Sequence, residues 1–155
     1  MPTLLPRLAL ALALAILGVL AYKLLPGLLA PAGTAQAPIR CHPAEQPCEA
    51  RLPGNGRVVV RAAPNPIRPL QPFTLSVQVT GVQARQVDVD FDGVDMRMGI
   101  NRIRLTSSEQ SATLFTGQGM LPICVSGRML WSASVLIDTS SGPYIVPFHF
   151  ELPAH

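Results

Sequence analysis

The distribution of proline constrains the fold of this 155-residue chain more than any other sequence feature. Ten of the 16 prolines lie between Pro26 and Pro72, and none occurs in residues 73–121. Because proline lacks a backbone N–H donor, sheets tolerate it mainly at edge strands, strand starts and bulges. We therefore expect residues 73–121 to contain central strands, and most of the preceding proline-rich segment to lack them.

Alternation of apolar and polar side chains predicts where the strands lie. Residues 73–80 alternate strictly, and residues 86–92 repeat the pattern with valine and phenylalanine on one face and aspartate on the other. Further strands are predicted at residues 57–62, 94–100, 102–106, 111–116, 129–138 and 144–152, with turns at glycines 81, 93, 117 and 119. Short strands at this spacing, with no helix after the N-terminal segment, predict an all-β sandwich of about seven to eight strands.

The N-terminal segment is strongly apolar. Residues 8–22 carry no charge and are flanked by Arg7 and Lys23. A helix of that length rises about 22 Å, against a hydrocarbon core of ~30 Å. It spans a membrane as one transmembrane helix if Lys23 snorkels to the interface or if the helix continues to Leu25. The alternative is a cleaved signal peptide.

A transmembrane anchor and a cleaved signal peptide both predict that the rest of the chain is exported. Residues 1–32 are thus expected to be a membrane anchor or signal segment, and Arg7 favours a cytoplasmic N-terminus. The expected location is the bacterial inner membrane, with a single span and the C-terminal domain in the periplasm. Cleavage would instead give a soluble periplasmic protein.

Residues 33–56 are rich in proline, alanine and glycine and are expected to form an extended stalk before a sandwich domain at residues 57–155. Cys41 and Cys48 lie in this stalk, and in an oxidising compartment their spacing favours a small disulfide loop. A redox or metal pair with His42 is the alternative. Cys124 then remains as the odd thiol.

Charge and motif content exclude several functions. Arg7 and Lys23 flank the leader, which leaves ten of the 12 basic residues to face nine acidic ones, without a basic run. Nucleic-acid binding therefore lacks its electrostatic footprint. The Asp88-x-Asp90-x-Asp92 pattern starts like a calcium loop, but the twelfth position is Gly99 rather than glutamate, so a solvated strand face is favoured. The sequence contains no combination of nucleophile and base that would predict an enzyme.

Sulfur side chains concentrate in the region between residues 88 and 131. Thioethers and thiolates are soft ligands that select Cu(I), so one copper ion is a candidate cofactor, with His149 as an extra ligand. The alternative is that the methionines fill gaps in the core and that Cys124 is a buried small apolar residue. The candidate metal ligands are Met96, Met98, Met120, Cys124 and Met129.

Four short motifs carry a family resemblance. They are FTLSV from Phe73, Met96-x-Met98, LFTGQG from Leu114, and GRMLWSASV from Gly127, and together they resemble the YtkA/FixH-like family over residues 73–137. The resemblance implies a small, membrane-anchored, Ig-like antiparallel sandwich. It also implies copper handling or assembly of a haem–copper respiratory oxidase, with that membrane complex as partner. The alternative function is a non-catalytic accessory subunit that acts by protein contact without metal.

Overall fold

The computed structural model describes residue 7 and residues 12–20, 34–96, 99–108, 111–122 and 129–152. The chain divides into two compact units, Met1–Ala32 and Gly33–His155. In the first unit, residues 12–20 are helical and their side chains are exposed. Within the described residues, no helix has the length and apolar character that crossing a membrane requires.

The second unit is built from β-strands, as the alternation predicted. Seven long strands coincide with alternating segments of the sequence, and three shorter strands come before them in the chain. Their bounds are β1 Thr34–Ala35, β2 Ile39–Arg40, β3 Cys48–Leu52, β4 Gly56–Ala63, β5 Pro72–Thr80, β6 Ala84–Gly93, β7 Arg102–Ser108, β8 Ser111–Met120, β9 Met129–Thr139 and β10 Gly142–Leu152.

Strand pairing gives two sheets joined through β7. The order along the path is β1-β10-β9-β6-β7-β8-β5-β4-β3, with β2 also paired to β10. The first half of β7 pairs with β6, and its second half pairs with β8. The strand therefore passes from one sheet to the other, and the result is a β-sandwich-like all-β fold.

The core lies between the inner faces of these sheets. Alternate residues of β5, β6, β9 and β10 are buried, which is the period of two expected when one face of a strand is covered. Phe73 of β5 meets Phe91 of β6 edge to face across the core, with ring centroids 5.7 Å apart. Trp131 is also buried.

Residues 34–52 differ from the predicted extended stalk because they pack against the sandwich. β1 and β2 run parallel to β10, and β3 pairs with β4 as an edge strand. Ala50 and Leu52 of β3 join the core, since alternate apolar residues here have a buried face to cover. The predicted Cys41–Cys48 disulfide is confirmed, and Cys48 is fully buried.

The described residues form ten strands, which is more than the predicted seven to eight. Residues 94–96 form a bend and residues 99–101 are irregular, so the strand predicted at 94–100 is not found in the described part of that segment. Gly117 and Gly119 lie inside β8 rather than at turns. A Cβ at Gly117 would lie 2.6 Å from the Leu105 side chain, so this glycine makes room for β7 where it crosses between sheets.

Candidate functional site

Antiparallel pairing brings the described methionines of the domain to one end of the sandwich. β8 ends at Met120 opposite Pro72, where β5 begins. β9 begins at Met129 opposite the end of β10, and β6 ends beside the start of β9. Met96 follows the end of β6. We call this surface the methionine end, defined by Leu70, Val94, Met96, Ile100, Met120 and Met129.

Met96 and Met120 present their side chains to solvent at the methionine end. Met96 is 46% exposed and Met120 is 50% exposed. Both lie at or beyond the end of a strand, where the chain leaves the paired sheet. Neither belongs to the hydrophobic core, so the gap-filling role open to a core methionine does not account for these two.

Met129 differs from the other two. Only 9% of it is exposed, and it belongs to the core cluster. Its terminal methyl group occupies the space where a side chain at Gly93 would begin, and the Met96 carbonyl oxygen lies 2.5 Å from that same position. Gly93 thus allows the Met129 side chain and the Met96 backbone to approach one point of β6. Met129 supports the methionine end from beneath.

The remaining predicted ligands are distributed as follows. Met98 and Cys124 lie outside the described residues. His149 lies on the outer face of β10, paired in register with Ser132 of β9 and Arg40 of β2. Among the described residues, no group of three or more histidine, cysteine, aspartate or glutamate side chains is arranged to hold a metal ion.

Large apolar side chains are exposed around Met96 and Met120. Ile100 is 93% exposed, and Val94 and Leu70 are also exposed. Within residues 34–152, every exposed large apolar side chain that the structure describes lies at this end. Concentration of exposed apolar residues on one surface is characteristic of an interaction site.

Leu70 occupies a backbone conformation that is unusual for its residue type. Its φ is +56°, in the left-handed region that favours glycine. The Gln71 N–H donates to the Arg68 carbonyl across the turn, and the Leu70 N–H donates to the Leu121 carbonyl at 2.8 Å. These bonds hold a strained, 56% exposed leucine beside Met120. Sequence reasoning missed this residue, although Pro69 before it is typical of turns that need positive φ at the next position.

No protein-family model matches this chain, and the comparison with curated proteins found no match either. The resemblance to the YtkA/FixH-like family stays a prediction from the four short motifs.

The three aspartates of β6 lie on its outer face, as predicted, but Asp88 is only 8% exposed, so this face is not solvated along its whole length. Asp90 pairs with Arg102 at 3.1 Å, and Asp88 pairs with Arg104 at 3.2 Å. The Gln86 side-chain amide also donates to Asp88. The Gly93 N–H donates to Asp92 at 2.9 Å. Asp88 and Asp90 thus form cross-strand ion pairs with β7, and the Asp92 carboxylate accepts a hydrogen bond from the backbone at the end of β6.

A surface cavity of about 740 Å³ lies against the β3–β4 hairpin, away from the methionine end. Arg57 and Glu49 form an ion pair there. The hydrogen bond to the Glu49 carboxylate, and then its negative charge, raise the pKa of Arg57 above its usual value. The pair is exposed, so it contributes little to stability and offers no reactive group.

Proposed function

We propose that this protein is a membrane-tethered, periplasm-facing β-sandwich of the Ig-like class that handles Cu(I) in the assembly of a haem–copper oxidase. The observation that carries the proposal is the pair of exposed thioethers, Met96 and Met120, at one end of the sandwich. Soft sulfur ligands at an accessible end of a rigid domain suit Cu(I) that must be received and passed on.

Two further sulfur-containing residues support the methionine end as the ligand site. Met98 is two residues from Met96 in sequence, and Cys124 is four residues from Met120. Each exposed methionine therefore has a second sulfur side chain close to it along the chain. Thioether and thiolate together are a soft donor set for Cu(I).

Substitution of the two exposed methionines tests the copper proposal. In a Cu(I) competition titration of the reduced full-length chain against a calibrated chelator, we expect one equivalent to bind. Met96→Leu combined with Met120→Leu should weaken that affinity by at least about tenfold, or about 1.4 kcal/mol. Leucine keeps the apolar volume and removes only the sulfur.

Met129→Leu is the matched control. Met129 is buried, so this variant should bind Cu(I) with the wild-type affinity. If the chain binds no Cu(I), or if the Met96 and Met120 double variant binds as tightly as the wild type, the copper proposal is wrong.

A second candidate function is a non-catalytic accessory subunit that docks on a membrane respiratory complex without metal. Leu70 favours it, because positive φ at a leucine lowers the stability of the domain, and a partner contact made by the exposed side chain would account for its presence there. Under this proposal the methionines contribute apolar area to the interface, and partner contact rather than metal is their role.

Leu70→Gly separates stability from contact. Glycine adopts positive φ without strain, so the variant should gain about 1 kcal/mol in the free energy of unfolding. Its co-purification with the oxidase from the same membranes should fall. Leu70→Ala should lose the contact without the gain in stability. If both variants co-purify with the oxidase as wild type does, Leu70 is not part of a docking surface.

A further inference from the structure

We infer that Met96 and Met120 form an oxidant-sensitive modification site, at which peroxide converts both thioethers to sulfoxides and makes the methionine end polar. The inference goes beyond the proposed function and does not depend on copper binding. It rests on the separation of the described methionines of the domain into two exposed side chains and one buried side chain.

The chemistry needs only a thioether sulfur and a two-electron oxidant. A sulfur lone pair attacks one oxygen of hydrogen peroxide, the O–O bond breaks, and the S–O bond of a sulfoxide forms. Sulfur loses two electrons, peroxide is reduced, and the departing hydroxide takes a proton to leave as water. An exposed sulfur can be attacked in this way, whereas a buried one must first be uncovered.

The fold sets which sulfur reacts. Met96 and Met120 are 46% and 50% exposed, whereas Met129 is 9% exposed and its methyl group contacts Gly93 inside the core. Attack on Met129 therefore requires opening of the start of β9. Met96 and Met120 lie where strands end, so a polar sulfoxide there does not enter the core and need not unfold the domain.

Oxidation of the two sulfurs changes the polarity of the methionine end, because other apolar side chains are exposed there. Leu70, Val94 and Ile100 share this end with them, and all three are exposed and apolar. A sulfoxide is a polar, chiral group in place of an apolar one and disrupts methionine-rich contact surfaces. Oxidation at two positions thus lowers the apolar character of the surface where the exposed large apolar side chains described in residues 34–152 are concentrated.

Peptide mapping resolves the sites individually. Trypsin cleavage after Arg85, Arg97, Arg102 and Arg128 places Met96, Met98, Met120 and Met129 in separate peptides. We expect hydrogen peroxide to oxidise Met96 and Met120 of the native, metal-free, full-length chain at least about tenfold faster than Met129. In guanidinium chloride this difference should disappear, because it comes from the fold.

Retention on a hydrophobic-interaction column tests the change of surface. Oxidised wild-type protein should elute earlier and still unfold cooperatively. Met96→Leu with Met120→Leu should show a much smaller shift after the same treatment. Equal native rates for Met129 and the exposed pair would overturn the site assignment, and an unchanged shift in the double variant would overturn the surface effect.

Discussion

Phe91→Ala should lower the free energy of unfolding by about 4 kcal/mol. Phe91 is almost fully buried and packs edge to face against Phe73 across the two sheets. Alanine removes the ring from a site that the surrounding strands cannot fill without moving. The midpoint of thermal unfolding of the full-length chain, followed by circular dichroism, should fall by roughly 15 °C.

Thr74→Ala is the control for Phe91→Ala, because Thr74 of β5 follows Phe73 in the chain but points outward and is exposed. Its free energy of unfolding should change by less than about 0.5 kcal/mol. A double-mutant cycle of Phe73→Ala and Phe91→Ala should give a coupling energy of about 1 kcal/mol. A loss below about 1 kcal/mol for Phe91→Ala would show that this ring does not fill the core.

Gly81→Ala should destabilise the domain by about 3 kcal/mol, through backbone strain and overpacking together. Gly81 has a φ of +75°, and a Cβ there would lie 3.0 Å from the Gly56 Cα atom and from the Asn55 carbonyl carbon. Backbone atoms of the β3–β4 turn cannot rotate away as a flexible side chain can. Chemical denaturation gives the difference directly from the midpoint and slope.

Gly54→Ala isolates the conformational part of that effect. Gly54 has nearly the same φ, +72°, but a Cβ there meets nothing within 4 Å. This variant should therefore lose only about 1 kcal/mol. If Gly54→Ala and Gly81→Ala cost the same, the contact between the two turns contributes nothing.

The long strands could be predicted because each has one covered face. Residues 73–80 and 86–92 alternate strictly, and the structure buries the predicted apolar face of each. β3 was missed because proline, alanine and glycine around it suggest an extended linker. The tertiary contact with β4, rather than local pattern, makes that segment a strand.

The residue types of the candidate site could be predicted from the sequence, but the exposure of their side chains to solvent could not. The sequence indicates that sulfur side chains gather between residues 96 and 129, and antiparallel pairing brings the described ones to one end. Whether a methionine at a strand end faces the core or solvent depends on where pairing stops, which residue type does not reveal. The position of Leu70 depends on hydrogen bonds to residues far along the chain, so no local signal specifies its exposure.

The parallel pairing of β10 with the segment that contains β1 and β2 has a mechanical consequence. The Gln36 N–H donates to Ile145 and the Cys41 N–H donates to His149, so bonds are spread along the whole of this contact. When tension is applied through the chain before Thr34 and resisted through the end of β10, these bonds lie across the pulling direction. They must break together in shear rather than one after another, and the Cys41–Cys48 disulfide ties the end of the segment to β3. A domain attached through this segment is therefore well placed to withstand a pull from its attachment point.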